Sequence, residues 1–164
     1  MSYFIILRGP LGVGKSTIGK ELARKLDGKY ISIDKILEKL KLDKVEGDCI
    51  PEKNFIKAQE SVLRVVKKTL EANKIVVFDG NFYHKGQIKH LTQQLNHKIC
   101  IFTLQASLKT CIKRDSKRNK AYGKGAATAV HTLVSRLKVG RNINTEGKTV
   151  RQTIKEIITI LESA

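Results

Sequence analysis

A chain of 164 residues with 41% hydrophobic content suits one domain with a buried core. It has no low-complexity tract, and no apolar run nears the roughly 20 residues that cross a bilayer. Its 32 Lys and Arg against 15 Asp and Glu give a net charge of +17. Ten of those cations lie between Gln105 and Arg141, where Asp115 is the only acid. That clustering predicts a positive field over a polyanionic ligand, either nucleotide phosphates or nucleic acid. Cys49, Cys100 and Cys111 are odd in number and lack CxxC spacing, which argues against a disulfide framework or a zinc site and for a reducing, cytoplasmic setting.

In chain order, Tyr3–Leu7 is a continuous β-rich run without the basic start and cleavage site of a signal peptide. Lys15–Leu26 carries Ile18, Leu22 and Leu26 at helical spacing. Tyr30–Ile33 is a second strand, ended by Asp34. Residues 54–73 place Phe55, Ala58, Val62, Val65, Val66 and Leu70 on one helix. Ile75–Phe78 is a third strand, ended by Asp79. Ile88, Leu91 and Leu95 mark another helix, and Lys98–Leu104 a fourth strand. Leu108–Arg118 is helical behind a Ser107 N-cap. A polar flap, Asn119–Gly125, precedes a helix carrying Ala126, Val130, Leu133, Val134 and Leu137. The last helix starts at a Thr149–Gln152 capping box and buries Ile154, Ile157, Ile158 and Leu161. Strands apolar at consecutive positions, alternating with helices, predict a parallel α/β sheet covered on both faces. No linker interrupts residues 1–164, so a single domain is expected, with a lid at about residues 114–127.

Gly9-Pro-Leu-Gly-Val-Gly-Lys-Ser-Thr17 satisfies G-x-x-x-x-G-K-[ST] between a strand and an amphipathic helix, the setting a P-loop requires. Gly9, Gly12, Val13, Gly14, Lys15, Ser16 and Thr17 are therefore the expected nucleotide-binding set. Backbone N–H groups would converge on phosphate oxygens, reinforced by the helix N-terminus. Lys15 would reach the outer phosphates, and the Ser16 hydroxyl would ligate Mg²⁺. Asp79, closing four apolar residues, reads as the second Mg²⁺ residue. Asp34, at a neighbouring strand end, is placed to take the proton from an attacking hydroxyl. Arg114 and Arg118, four apart on one helix, are the expected cations that follow the charge on the moving phosphoryl group.

The chain resembles the nucleoside-monophosphate-kinase-like P-loop kinases, and within them polynucleotide 5′-hydroxyl kinase domains and related small kinases. The resemblance rests on Gly9–Thr17, Tyr30–Asp34, Val76–Asn81 and Lys113–Arg118. It implies a three-layer sandwich around a five-stranded parallel sheet of order 2-3-1-4-5 with a helical lid. It also implies Asp34 as acceptor-activating base, Arg118 as the flap arginine on the donor phosphates, and Asn142–Thr145 as a loop on the adenine. Phage-type polynucleotide kinases carry a substrate-phosphate arginine three residues after that aspartate, where this chain has Leu37; Lys35, or residues of the Asn81–Lys85 segment such as His84, are the candidate substitutes.

The expected reaction is transfer of the γ-phosphate of ATP, with Mg²⁺, to a hydroxyl. A polynucleotide 5′-hydroxyl is the first acceptor considered, and adenylyl sulfate, shikimate, gluconate or an antibiotic the alternative. A GTPase would need Asn-Lys-x-Asp, which Asn73–Val76 and Asn119–Tyr122 lack. Aromatics at 5% show no stacking platform for a purely nucleic-acid-binding protein.

Overall fold

The computed structural model describes residues 1–164. Its strands are β1 (Tyr3–Arg8), β2 (Lys29–Ser32), β3 (Val76–Gly80), β4 (Lys98–Gln105) and β5 (Arg141–Asn144). All strand pairs are parallel, in the order β2-β3-β1-β4-β5. The helices are α1 (Lys15–Lys25), α2 (Ile33–Lys39), α3 (Glu52–Glu60), α4 (Leu63–Glu71), α5 (Lys85–Leu95), α6 (Leu108–Ser116), α7 (Lys124–Arg136) and α8 (Val150–Glu162).

Side chains alternate across the sheet, so β1 feeds two cores. Phe4 and Ile6 pack with residues of α2 to α5 and with Val134 of α7. Ile5 and Leu7 pack with Ile18 and Leu22 of α1, Cys111 of α6, and Ile154 and Ile157 of α8. Both faces are covered, as the continuous apolar strands require.

Three elements differ from the sequence reading. The helix expected over residues 54–73 is two helices, broken at Ser61 and Val62, where the Ser61 hydroxyl donates to the Ala58 carbonyl at 2.7 Å. Apolar spacing runs through the break undisturbed, so periodicity does not mark it. Asp34 is not a strand end: Ser32 caps α2, and Asp34 sits in that helix's first turn. Residues 142–144, expected in a loop on the adenine, are β-strand, because β4 takes their backbone hydrogen bonds with Leu104 opposite Ile143. Thr145 extends the pairing by donating its N–H to the Gln105 carbonyl at 2.8 Å. The capping box at Thr149 and the Ser107 cap form as expected.

Candidate active site

The P-loop turns from β1 into α1 around two glycines of positive φ. Gly12, at φ +78°, lies so close to α6 that an added Cβ would sit 2.2 Å from the Cys111 carbonyl oxygen. Gly14 at φ 104° is the N-cap of α1, and it opens the helix's free N–H groups toward the loop. Lys15 is 7% exposed and its Nζ donates to the Pro10 carbonyl across the loop at 2.8 Å. Burial pulls this ammonium below its ordinary pKa, while Asp34 and Asp79 pull the other way.

Asp79 projects from β3, an interior strand of the sheet, and is 1% exposed. Its Oδ2 accepts from the Ser16 hydroxyl at 3.1 Å and from the Tyr30 hydroxyl at 2.5 Å. Its Oδ1 is buried without any partner. No cluster of three or more His, Cys, Asp or Glu side chains is present. Mg²⁺, which keeps several waters and takes substrate phosphates, asks for only one or two protein ligands. An orphaned carboxylate oxygen beside the P-loop serine fits that ion. Tyr30 was missed in the sequence because a tyrosine inside a strand reads only as a β-former.

Asp34 is half-buried at the floor of a cleft of about 370 Å³ that Lys15, Ser16, Thr17, Arg114 and Arg118 also line. Burial raises its carboxyl to a pKa of about 6; Asp79 adds to the rise, against Lys15, the Asn81 backbone and Arg118. At neutral pH it is mostly an anion, yet far more basic than a free aspartate.

Within the segment expected as a lid, about residues 114–127, a loop of residues 117–123 joins α6 to α7. The buried carboxylate of Asp115 closes it, accepting from the N–H groups of Tyr122 at 3.3 Å and Gly123 at 3.0 Å. Arg118 lies 3.8 Å from that carboxylate, over the Tyr122 ring at 5.3 Å. Lys120 reaches from the loop to Glu38 of α2 at 2.7 Å, spanning the mouth of the cleft. Arg114 is braced instead: it donates to the Thr145 hydroxyl at 3.0 Å and carbonyl at 3.2 Å, and to the Val13 carbonyl at 3.4 Å. It ties the P-loop to the end of β5.

Of the positions weighed as contacts for an acceptor phosphate, Leu37 and His84 are taken up by the fold and Lys35 stays open to the cleft. Leu37 is 1% exposed and belongs to the core. His84 caps α5 and its Nε2 pairs with the Ile50 carbonyl at 2.8 Å, holding the loop before α3. Lys35 is exposed and lines the cleft.

A profile of the family described as "AAA domain" matches residues 4–138, a span that contains the P-loop, both aspartates and the segment expected as a lid. The chain belongs to this family. A shikimate kinase of Persephonella marina is 26% identical over 162 residues, covering 94% of this chain and 96% of the relative. A putative adenylate kinase of Pyrococcus furiosus is 27% identical over 168 residues, covering 97% and 84%. Among solved structures, an unliganded sugar kinase from a Janibacter species superposes with a TM-score of 0.78 at 15% identity, covering 99% and 95% of the two chains. That structural likeness shows the fold, the P-loop kinase sandwich with sheet order 2-3-1-4-5. No helix of this member is long and apolar enough to cross a membrane.

Proposed function

We propose that this chain is an ATP-dependent kinase that phosphorylates a hydroxyl of a small polar acceptor. The observation that carries the reading is Asp34: a carboxylate with a pKa of about 6, in one cleft with the P-loop lysine and the lid arginine. Transfer to an alcohol calls for a group beside the donor phosphates that takes the hydroxyl proton, and Asp34 is the carboxylate in that place.

In this reading, bound Mg·ATP supplies the transferable phosphoryl group, and the metal neutralises its oxygens. Gly9 to Thr17 would hold the phosphates, and Ser16 and Asp79 would hold the metal. Asp34 accepts the acceptor's hydroxyl proton. Lys15 and Arg118 offset the negative charge that gathers as the group moves. Arg114 keeps the P-loop at its distance from β5. Positioning and electrostatics supply most of the catalysis, because a loose phosphoryl transition state needs little else.

The small acceptor is supported by full-length relatives named as shikimate and adenylate kinases. It is also supported by the Lys120–Glu38 pair, which bridges the cleft mouth where an oligonucleotide would have to thread. A polynucleotide 5′-hydroxyl is the second reading, favoured by the +17 charge. Its weakness is Leu37, buried where phage-type enzymes place an arginine.

The deciding experiment is transfer of label from ATP to an acceptor panel. The panel would include shikimate, gluconate, adenylyl sulfate, nucleoside monophosphates, and 5′-hydroxyl RNA and DNA. Labelling of a small molecule is expected. Labelling of oligonucleotides alone would overturn the small-acceptor reading, labelling of nucleoside monophosphates on their phosphate would overturn the hydroxyl acceptor, and no transfer to any member of the panel would count against the kinase.

A further inference from the structure

Arg8, the last residue of β1, is completely buried and has no carboxylate partner. Its guanidinium instead donates to oxygens of three separate segments. Nε reaches the Phe82 carbonyl at 3.2 Å, in the turn after β3. Nη1 reaches the Thr103 hydroxyl of β4 at 2.9 Å and the Leu137 carbonyl at 2.9 Å. Nη2 reaches the Val134 carbonyl at 3.0 Å. Val134 and Leu137 are the C-terminal turn and C-cap of α7. The charge is thus balanced by the negative end of a helix dipole rather than by an anion. Burial still lowers its pKa to about 10.

Stability alone does not account for an arginine here. Burying a guanidinium costs several kcal/mol of hydration, and a hydrophobic residue of similar volume commonly does as well. The preceding four residues of β1 are all fully buried hydrophobics. What an arginine adds is a planar fork that fixes the relative placement of whatever it bridges.

What it bridges is the machinery of the proposed reaction. Arg8 directly precedes Gly9, the first P-loop residue, and lies opposite Gly80, next to Asp79, in the β1–β3 register. The turn it holds runs Asn81–Phe82–Tyr83, and Phe82 is a buried aromatic at φ +45°. A non-glycine residue held there costs on the order of 1–3 kcal/mol, so the surroundings must enforce it. Asn81, in the same turn, presents its backbone to Asp34. The third segment, α7, carries the lid loop at its other end.

We infer that Arg8 is a positioning residue that links the lid helix α7 to the P-loop and to the turn behind Asp34 and Asp79, so that nucleotide binding is transmitted to the lid. The inference rests on the proposed nucleotide site, but not on which acceptor is used.

The test is limited trypsin digestion with and without a non-hydrolysable ATP analogue. Lys117, Arg118 and Lys120 are exposed in the lid loop and give a local cleavage signal. In the unaltered protein the analogue is expected to slow cleavage there. In Arg8→Lys, whose single ammonium cannot span three segments, that protection, read at saturating analogue, should fall by at least about threefold. Should the lysine protein not fold, Thr103→Val, which removes one arm of the fork, replaces it as the deciding variant, with a smaller loss in the same direction. Full protection in the folded variants overturns the inference. Absence of both binding and protection in the unaltered protein instead overturns the nucleotide site itself. A merely structural role would raise cleavage throughout the chain and leave the protection ratio at the lid unchanged, which also counts against the inference.

Discussion

The Tyr30 hydroxyl donates to Oδ2 of Asp79 at 2.5 Å, on the same carboxylate oxygen that accepts from Ser16. Two donors on one oxygen fix the carboxylate plane and leave Oδ1 free, buried and unpaired. The aromatic ring is itself held by α1, since a Cβ on Gly19 would lie 2.9 Å from Tyr30 Cε2.

Tyr30→Phe removes that donor while keeping the ring. A hydrogen bond to a charged acceptor is worth about 1.5–3 kcal/mol, and part of it here serves to aim Oδ1. The Mg²⁺ concentration at half-maximal ATP-analogue binding should rise about threefold to tenfold, in line with the effect of lost outer-shell partners. Analogue binding without metal should hold constant. Titration calorimetry at several Mg²⁺ concentrations reads both, and an unchanged Mg²⁺ midpoint would remove Tyr30 from the site.

Asp34 sets a pH dependence. Its folded pKa is about 6 against 3.8 for an ordinary aspartate, so the folded state binds this proton more tightly than the unfolded chain does. Turnover should fall below about pH 6 as the base is protonated. Stability runs the other way: the favourable contribution is present below the unfolded value and is lost as pH rises through the folded one. Asp34→Asn should therefore lose transfer, keep most ATP affinity, and at pH 7 gain about 1–2 kcal/mol, the shift being discounted for partial exposure. Urea melts at pH 4 and pH 7 test the sign. Full activity in Asp34→Asn would end its assignment as base.

These two aspartates show how far the sequence carries. The P-loop was legible because its chemistry demands glycines and a lysine at fixed spacing, between a strand and a helix. Four strands were legible because burial on both faces makes them continuously apolar. β5 was not, since Arg-Asn-Ile-Asn buries only Ile143 and an edge strand has a single partner. Nor was the division of labour between the two arginines. Spacing puts Arg114 and Arg118 on one helical face, but Thr145 and Val13, far away in sequence, take up Arg114. Arg8 and Tyr30 left no signal because each looks like an ordinary strand residue until the neighbouring segments are folded against it.

Gly12→Ala tests the seat of the P-loop. The added methyl would have to displace the backbone of α6 from a 2.2 Å approach, at a φ of +78° that disfavours any side chain. Overpacking and left-handed strain together should cost at least ~2 kcal/mol, or on the order of 4–8 °C in Tm for a chain of this size. Nucleotide affinity should fall as well, because the loop and α6 move apart. A variant that melts within about 1 °C of the original would show that the loop yields freely.

Lys15→Ala should abolish turnover, and it carries a second consequence. Lys15 is the largest influence holding the Asp34 carboxyl down, ahead of the Asn81 backbone and Arg118, while burial and Asp79 push it up. Removing the ammonium leaves the upward influences opposed only by the weaker ones. Asp34 should then titrate above its present value of about 6, so that more of it is protonated at neutral pH. The two losses can be separated by following the Asp34 carboxyl carbon by NMR across pH in the absence of nucleotide. An upward-shifted titration in Lys15→Ala places the lysine and the base in one electrostatic unit. An unshifted titration would mean that solvent already screens the pair, and Lys15 would then act on the phosphates alone.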